Sequence, residues 1–485
     1  MPGLTNSCRR RGGLEAMSKY GRLIKNVGAF TVSNVAIKLI TFLLVPFYTY
    51  YLSAAEFGIT DMLNTVTALV LPIVTGSIAD AVLRYAIDDR SRANQFIRFG
   101  FLVTGVSCIL VALLLPLLDL DFFGGLGAYK GWFIAAYATM AIHNYLSIVA
   151  RGLDKLRTMM AASILSSLAN IGTAVVAIAV LHLGVVGFFL SWVLGNTAGC
   201  LWYLLVGGLR HQCFGKFILS RNLLSLFAYS LPLVPNALFW WVSQSINRFF
   251  ITGFIGIGAS GLFAAASRIP GILNMVASIF QQAWNLSAFQ EYRKKGRDVF
   301  FSTVFKVYQC GMAITTILLI CSSKWIATLL FQKDFFRAWT LVPILLVAFY
   351  FSALNTFYGS VYTASMKTKY LFVTTVVGAL VCVAGTWILL KLIGLPGAGI
   401  ATALGNAVVW LMRLLDSRRF VTIDASRTVI VITIVLLLVS SFSICMDQAP
   451  YKLVAYGCLL AVVAVQVWQV WDILVHLLRR GRGDS

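Results

Sequence analysis

The sequence predicts an all-α membrane protein that crosses the bilayer about fourteen times. Two observations carry this prediction: the 485 residues contain fourteen apolar segments joined by short loops, and the loops are alternately rich and poor in Lys and Arg. With the N-terminus placed in the cytoplasm, 29 of the 39 Lys and Arg residues lie in cytoplasmic loops and termini, 6 in outer loops and 4 inside helices. This distribution is the positive-inside pattern of multi-pass helical membrane proteins.

The composition agrees with a membrane protein. The chain is 59% hydrophobic and 12% charged, and its mean hydropathy is +0.86. A soluble protein of this length needs more polar surface, so lipid must be the solvent for most of the chain. The net charge of +22 alternates along the sequence, which places it against anionic lipid headgroups, and we expect no nucleic-acid partner.

Each apolar segment is long enough to cross a hydrocarbon core about 30 Å thick, which takes about 20 helical residues. We predict spans at 27–51, 62–87, 96–118, 131–150, 158–181, 185–207, 229–254, 262–289, 299–322, 338–365, 370–391, 397–415, 427–446 and 452–476. Among the outer loops, only 324–337 departs from the charge pattern, because it contains three basic residues. The even number of spans returns the C-terminus to the cytoplasm.

The chain also contains an internal repeat. Aligning Gly58 of YLSAAEFGITD with Gly261 of IGIGASGLFAA places the first two helices on the seventh and eighth. Both halves then enter the membrane from the cytoplasm, which is typical of parallel repeats that form two lobes around a cavity. We therefore predict a basic cytoplasmic N-terminus (1–22), an N-terminal lobe of helices 1–6 (23–215), a C-terminal lobe of helices 7–12 (216–420), two extra helices 13–14 (421–478) and a cytoplasmic tail (479–485).

Prolines support this arrangement. Pro46 and Pro72 fall in the first two helices, and Pro232, Pro235 and Pro270 fall in the seventh and eighth. Interrupted helices at corresponding places of two halves indicate a transport site. We expect the first, second, seventh and eighth helices to line the cavity between the lobes.

Polar side chains occur inside these four predicted spans, although they are costly at bilayer depth and normally face a bundle interior or a wet cavity. The cations are Lys38, Arg248 and Arg268, and the amides on the same helical stripes include Asn34, Gln244, Asn274 and Gln281. The sequence places no carboxylate at matching depth beside the cations. We interpret them as a cavity for an anionic headgroup such as a sugar-bearing diphosphate, because guanidinium groups match phosphate oxygens and amides match hydroxyls. In the alternative, each cation is bonded to carbonyls or a polar neighbour and only stiffens the bundle.

Arg84 is a further candidate for substrate binding. Asp80 and Asp88 each lie four residues from it. A local helix ion pair near the cytoplasmic end is therefore the alternative interpretation.

The sequence gives no support for soluble enzyme chemistry. It contains no Walker A motif, no HExxH and no GxSxG, and the nine cysteines form no CxxC pair. We expect a transporter rather than an enzyme, with no metal and no cofactor. Coupling to a proton, to sodium or to the membrane potential stays open.

The ordered motifs resemble those of a known family. They are the opening SKYGRLIKNVGAFTVSNVAIKLITFLLVPFYTYYLSAAEFGITD, LRYAIDD at the end of the second helix, YSLPLVPNALFWWVSQSINRFF and GLFAAASRIPGIL. Nearly the whole chain is similar to Wzx-type polysaccharide flippases of the multidrug/oligosaccharidyl-lipid/polysaccharide exporter superfamily. One departure is Asn247-Arg248, where members often have Asp-Arg, which puts a carboxylate coupling site there in doubt.

The resemblance implies a flippase in the bacterial plasma membrane, with both termini in the cytoplasm. It implies alternating access and movement of undecaprenyl-diphosphate-linked oligosaccharide from the inner to the outer face, with membrane lipids and other membrane proteins of polysaccharide assembly as partners. A lipid II flippase is similar in fold and number of spans. A multidrug exporter would usually have twelve spans and an acidic cavity, and a glycan polymerase or ligase would usually need a large outer loop.

Overall fold

The computed structural model describes residues 42, 44–215, 221–292, 294–365 and 367–481. All secondary structure in these ranges is helical. Most of the first predicted span, including the candidates Asn34 and Lys38, lies outside the described residues.

The helices follow the predicted order through two lobes and a C-terminal pair. In the N-terminal lobe they are α1 (Val45–Tyr51), α2 (Ala54–Thr75), α3 (Ile78–Asp88), α4 (Ala93–Leu114), α5 (Lys130–Gly152), α6 (Leu156–Ala174), α7 (Gly184–Leu201) and α8 (Arg210–Cys213). The rest are α9 (Arg221–Ser230), α10 (Leu233–Phe254), α11 (Ile257–Ala266), α12 (Gly271–Glu291), α13 (Arg297–Leu330), α14 (Val342–Ala364), α15 (Thr368–Ile393), α16 (Leu395–Asp416), α17 (Arg427–Cys445) and α18 (Ala449–Gly481). Short 3-10 helices lie at Leu115–Asp119, Asp121–Phe123, Leu126–Tyr129, Lys333–Leu341 and Ser417–Arg419, and π-helical turns extend α6 and α7 through Val175–Val180 and Trp202–Val206.

The helices identify a multi-pass membrane protein. In the described ranges, eleven helical segments are long and apolar enough to cross a membrane, and there are twelve if the bent pair α11 and α12 forms one span. The seventh predicted span corresponds to α10, a 22-residue helix that carries the polar stripe. The count of fourteen therefore stays a prediction.

The second span begins earlier than predicted and is broken. Ser53 and Glu56 form a reciprocal capping box, so α2 starts at Ala54 instead of residue 62. The predicted outer loop 52–60 is therefore mostly helix. At the other end, Gly76 (φ 59) and Ser77 (φ 53) are both left-handed, which separates α2 from α3.

The eighth span is also not continuous. The predicted helix 262–289 is wrong, because α11 and α12 meet at an angle of 49° across a short break. Pro270 is the N-cap residue of α12, and its ring cannot continue the preceding helix. Arg268 lies within this break.

The two lobes meet closely where α2 crosses α11. A Cβ atom added at Gly58 would lie 2.2 Å from the carbonyl oxygen of Ile257, and one added at Gly261 would lie 2.0 Å from that of Ala54. Only glycine allows the backbones to approach this closely. Gly58 and Gly261 are the residues that the internal repeat pairs, and their crossing closes the end of the molecule predicted to face outside.

The basic residues of the exceptional outer loop are largely neutralised by local contacts. Helix α13 extends beyond its predicted end at residue 322, so Lys324 lies on it. Lys324 and Lys452 both pair with Asp447, and their hydrogen bonds lower the pKa of that carboxyl. Lys333 lies 4.8 Å from the centre of the Tyr50 ring. This local pairing explains how the outer loop carries basic residues against the positive-inside pattern.

The C-terminal pair is joined to the C-terminal lobe. Helices α17 and α18 pack on each other, α18 packs on α13, and α17 packs on α14. Their buried residues, including Leu437 and Val462, belong to the same apolar core as Phe305 and Phe357 of the lobe.

Candidate functional site

Three cavities adjoin one another between and within the lobes. The central cavity, about 580 Å³, lies between the lobes. The N-lobe cavity, about 450 Å³, shares Asp61 and Arg268 with it. The C-lobe cavity, about 360 Å³, shares five residues with the central one: Gln244, Asn274, Ser352, Thr402 and Asn406. The shared walls make the three cavities parts of one chamber.

Arg248 is held by the protein at the wall of the central cavity. Its Nε lies 2.5 Å from Oδ2 of Asp61, and its Nη1 donates to the carbonyl oxygen of Gln244 at 3.2 Å. The side chains of Arg248 and Asp61 are 18% and 9% exposed. This ion pair links α10 of the C-terminal lobe to α2 of the N-terminal lobe.

Arg268 is the more available cation. One of its terminal nitrogens lies 3.9 Å from Oδ1 of Asp61, and the side chain is 37% exposed. Its guanidinium carbon lies 5.8 Å from the centre of the Phe57 ring. Because Arg268 lines both the central and the N-lobe cavities, an anionic ligand in either can reach it.

Asp61 corrects the expectation that no carboxylate lies beside these cations. Sequence reasoning placed it at the mouth of the second helix, but α2 starts at Ala54 and carries Asp61 about two turns inward. The Ser53-x-x-Glu56 capping signature was the sequence signal for this earlier start. Asp61, Arg248 and Arg268 together keep one excess positive charge.

The predicted amides lie along the central and C-lobe cavities. Gln244 and Asn274 line both. Gln281 lines the C-lobe cavity and donates to Oδ1 of Asn285 at 2.6 Å. Its own Oε1 is buried, and no described residue donates a hydrogen bond to it. These amides can therefore offer hydrogen bonds to a hydroxylated ligand.

Helices α14 and α16 complete the wall, and sequence reasoning did not include them. Ser352 and Asn406 face both cavities. Arg413 of α16 lines the C-lobe cavity, is buried, and donates to the carbonyl oxygen of Asn355 at 2.7 Å. Its position at the end of a predicted span made it resemble an ordinary cytoplasmic cation.

Two other residues from the sequence analysis have structural partners. Arg84 pairs with Asp88 at 3.2 Å, is 60% exposed and lines none of these three cavities. Asn247, at the position where the resemblance suggested Asp, donates to Thr402 and accepts from Thr386, both at 2.7 Å. It fastens α10 to α15 and α16.

Solved structures with this fold are transporters. The structure described as the inward-facing conformation of a multidrug resistance MATE family transporter of the MOP superfamily has a TM-score of 0.66 and 17% identity, covering 80% of this chain and 97% of that one. The lipid II flippase MurJ, inward closed conformation, has a TM-score of 0.68 and 13% identity, covering 92% and 99%. An outward-facing MATE family transporter has a TM-score of 0.59 and 16% identity, covering 83% and 96%.

The sequence comparison assigns the family. No curated protein sequence matches this chain significantly. The polysaccharide biosynthesis protein family matches residues 23–285, which is more than half of the chain. The predicted resemblance is confirmed: the chain is a member of the polysaccharide biosynthesis protein family with the fold of MOP-superfamily transporters.

Proposed function

We propose that the protein is a flippase that moves undecaprenyl-diphosphate-linked oligosaccharide from the inner to the outer face of a bacterial plasma membrane. It works by alternating access, with both termini in the cytoplasm. The family membership and the transporter fold support this function. The observation that carries it is a net-cationic cluster, Asp61, Arg248 and Arg268, that opens onto cavities lined by amides and hydroxyls.

The chemistry of the cavity fits a phosphorylated glycan headgroup. Diphosphate oxygens accept charge-assisted hydrogen bonds from Arg268, whose guanidinium has free donors. Gln244, Asn274 and Gln281 bond the sugar hydroxyls. The undecaprenyl tail stays in lipid, because only the polar head is costly to move through hydrocarbon.

The same cluster connects binding to lobe movement. Outward opening has to separate α2 from α11 and so break the ion pair between Asp61 and Arg248. A bound diphosphate supplies anionic oxygens to Arg248 in place of Asp61. The substrate therefore stabilises the open state relative to the closed one, which is what a transported ligand must do.

The rival functions make different demands on this cavity. A lipid II flippase would use the same diphosphate chemistry, but the family match favours polysaccharide synthesis. A multidrug exporter for cations needs free carboxylates. Asp61, the carboxylate that lines the central cavity, faces two arginines instead.

Complementation of a bacterial strain that lacks its polysaccharide flippase tests the proposal. The unaltered protein should restore surface polysaccharide, Arg268→Ala should abolish most of it, and Arg268→Lys should retain part because the charge remains without the planar fork. Arg84→Ala is the matched control and should have a much smaller effect. Full activity of Arg268→Ala at equal membrane levels, measured by immunoblotting, would contradict the proposal.

A further inference from the structure

The N-lobe cavity has a wall of aromatic rings beside the cationic cluster. The centres of the Tyr48 and Phe188 rings are 5.6 Å apart, and Phe188 stacks on Trp192 with 6.1 Å between centres and an angle of 27°. All three residues line the cavity. An aromatic face is suited to the C–H face of a pyranose ring, since cavities for small ligands combine apolar and aromatic walls with a few polar groups.

Polar groups that lack partners lie along the same cavity. The indole N–H of Trp192 is buried and finds no acceptor among the described residues. The side-chain amides of Asn64 and Asn196 donate to the carbonyl oxygens of Thr60 and Trp192, which leaves their own oxygens able to accept. Buried donors and acceptors are costly unless paired. A hydroxylated ligand would pair them.

The charge of the cavity excludes a cationic ligand. Asp61 is the only carboxylate among the described residues that line it, and Arg248 and Arg268 both lie beside Asp61. Ser166, Ser167 and the amides contribute no charge. The ligand is therefore neutral where it contacts the aromatic wall and anionic only where it meets Arg268.

We infer that the N-lobe cavity is a subsite for one neutral sugar ring, the ring bonded directly to the diphosphate. This inference rests on the proposed function and adds to it. Arg268 lines the central and N-lobe cavities but not the C-lobe cavity, whereas Gln244 and Asn274 line the central and C-lobe cavities. The sugar next to the phosphates therefore stacks on Trp192, and the more distant sugars of the repeat unit bond to the amides of the C-lobe cavity.

Binding of three synthetic lipids to the purified full-length protein tests this assignment. The lipids are undecaprenyl diphosphate without sugar, with one neutral hexose, and with a neutral trisaccharide. Trp192→Leu should weaken binding of the hexose lipid about tenfold, a loss of about 1.4 kcal/mol, and change binding of the sugar-free lipid less than about twofold. Trp192→Phe should recover most of the loss. Gln281→Ala should weaken binding of the trisaccharide lipid alone.

The controls separate a binding role from a structural one. Trp468→Leu alters a tryptophan that is 75% exposed on α18 and should change binding of none of the lipids. Asn170→Ala, at another residue that lines the N-lobe cavity, provides a second variant if Trp192→Leu fails to fold, and it should also weaken only the sugar-bearing lipids. Equal loss for all three lipids in either variant, or no loss for the hexose lipid, would overturn the subsite. Absence of binding of any of these lipids by the unaltered protein would instead overturn the proposed function.

Discussion

At the scale of single residues, the site depends on how Asp61 divides its interaction between two arginines. Arg248 is mostly buried and bonded to Asp61, whereas Arg268 is more exposed and more distant from it. Removing one partner of a buried ion pair leaves the other charge without compensation, which is strongly destabilising. The two arginines therefore have different tasks: Arg248 mainly closes the lobes, and Arg268 mainly meets the ligand.

We expect Asp61 and Arg248 to be energetically coupled. Asp61→Asn and Arg248→Gln should each lower the thermal stability of the detergent-solubilised protein. The double variant should be more stable than the sum of the two losses by roughly 1 kcal/mol or more, as for charged residues in direct contact. The same cycle on Arg84 and Asp88, an exposed pair, should give less coupling. Additive losses at Asp61 and Arg248 would refute the coupling.

Sequence reasoning found the cations of the cluster but not their counter-ion. Arg248 and Arg268 stand out because charge is rare inside apolar segments. Asp61 does not stand out, because hydropathy places the start of the second helix after it, and only the capping box at Ser53 and Glu56 moves that start. Arg413 was missed for a similar reason, since a span boundary alone does not show which way a terminal side chain points.

At the scale of helices, the crossing of α2 and α11 is the contact that closes the predicted outer end. Gly58 and Gly261 face the opposite backbone at distances that exclude any side chain. The structure therefore gives a physical reason for glycine at both aligned positions of the repeat. Separation of these helices is the step that outward opening requires.

Gly58→Ala should hold the two helices apart. Because the new Cβ would meet the carbonyl oxygen of Ile257 at 2.2 Å, the backbones must shift. A Cβ at Gly258 would lie 3.9 Å from the backbone nitrogen of Ala55, so cysteines introduced at these two positions should cross-link readily. Gly58→Ala should slow this cross-linking several-fold. Gly105→Ala is the control, because its Cβ meets nothing within 4 Å. Equal rates in both variants would show that the crossing does not limit closure.

Helix positions were predictable where hydrophobic length alone decides them, and helix breaks were not. Predicted spans 131–150 and 427–446 differ from α5 and α17 by at most two residues at either end. The break in the eighth span and the two left-handed residues after α2 arise from local backbone conformation. Hydropathy does not record it, although Pro270 and Gly76 marked the places.

At the scale of the whole molecule, the charge distribution orients the protein. Most of the basic residues lie in the loops predicted to be cytoplasmic, and several outer cations are locally paired, such as Lys130 with Asp119 at 2.5 Å. Local neutralisation lowers the cost of placing a lysine on the outer side. The orientation therefore rests on the unpaired basic loops.

Cysteine labelling from outside intact cells checks this orientation. A cysteine at Gly125, in a predicted outer loop, should react with a membrane-impermeant maleimide, and one at Arg418, in a predicted cytoplasmic loop, should react only after the cells are opened. A variant without the native cysteines provides the background. Reaction of position 418 in intact cells would overturn the topology with cytoplasmic termini.

The central claim is that the arginine cluster carries a diphosphate-linked glycan across the bilayer. The most direct measurement is the movement of fluorescent undecaprenyl-diphosphate-trisaccharide between the leaflets of proteoliposomes, followed by reduction of the outer-leaflet label. The unaltered protein should accelerate movement over protein-free vesicles, Arg268→Ala should reduce the rate at least about tenfold, equivalent to about 1.4 kcal/mol or more, and Arg268→Lys should be intermediate. An unaltered protein without effect, or an Arg268→Ala variant as fast as the unaltered protein, would contradict the account.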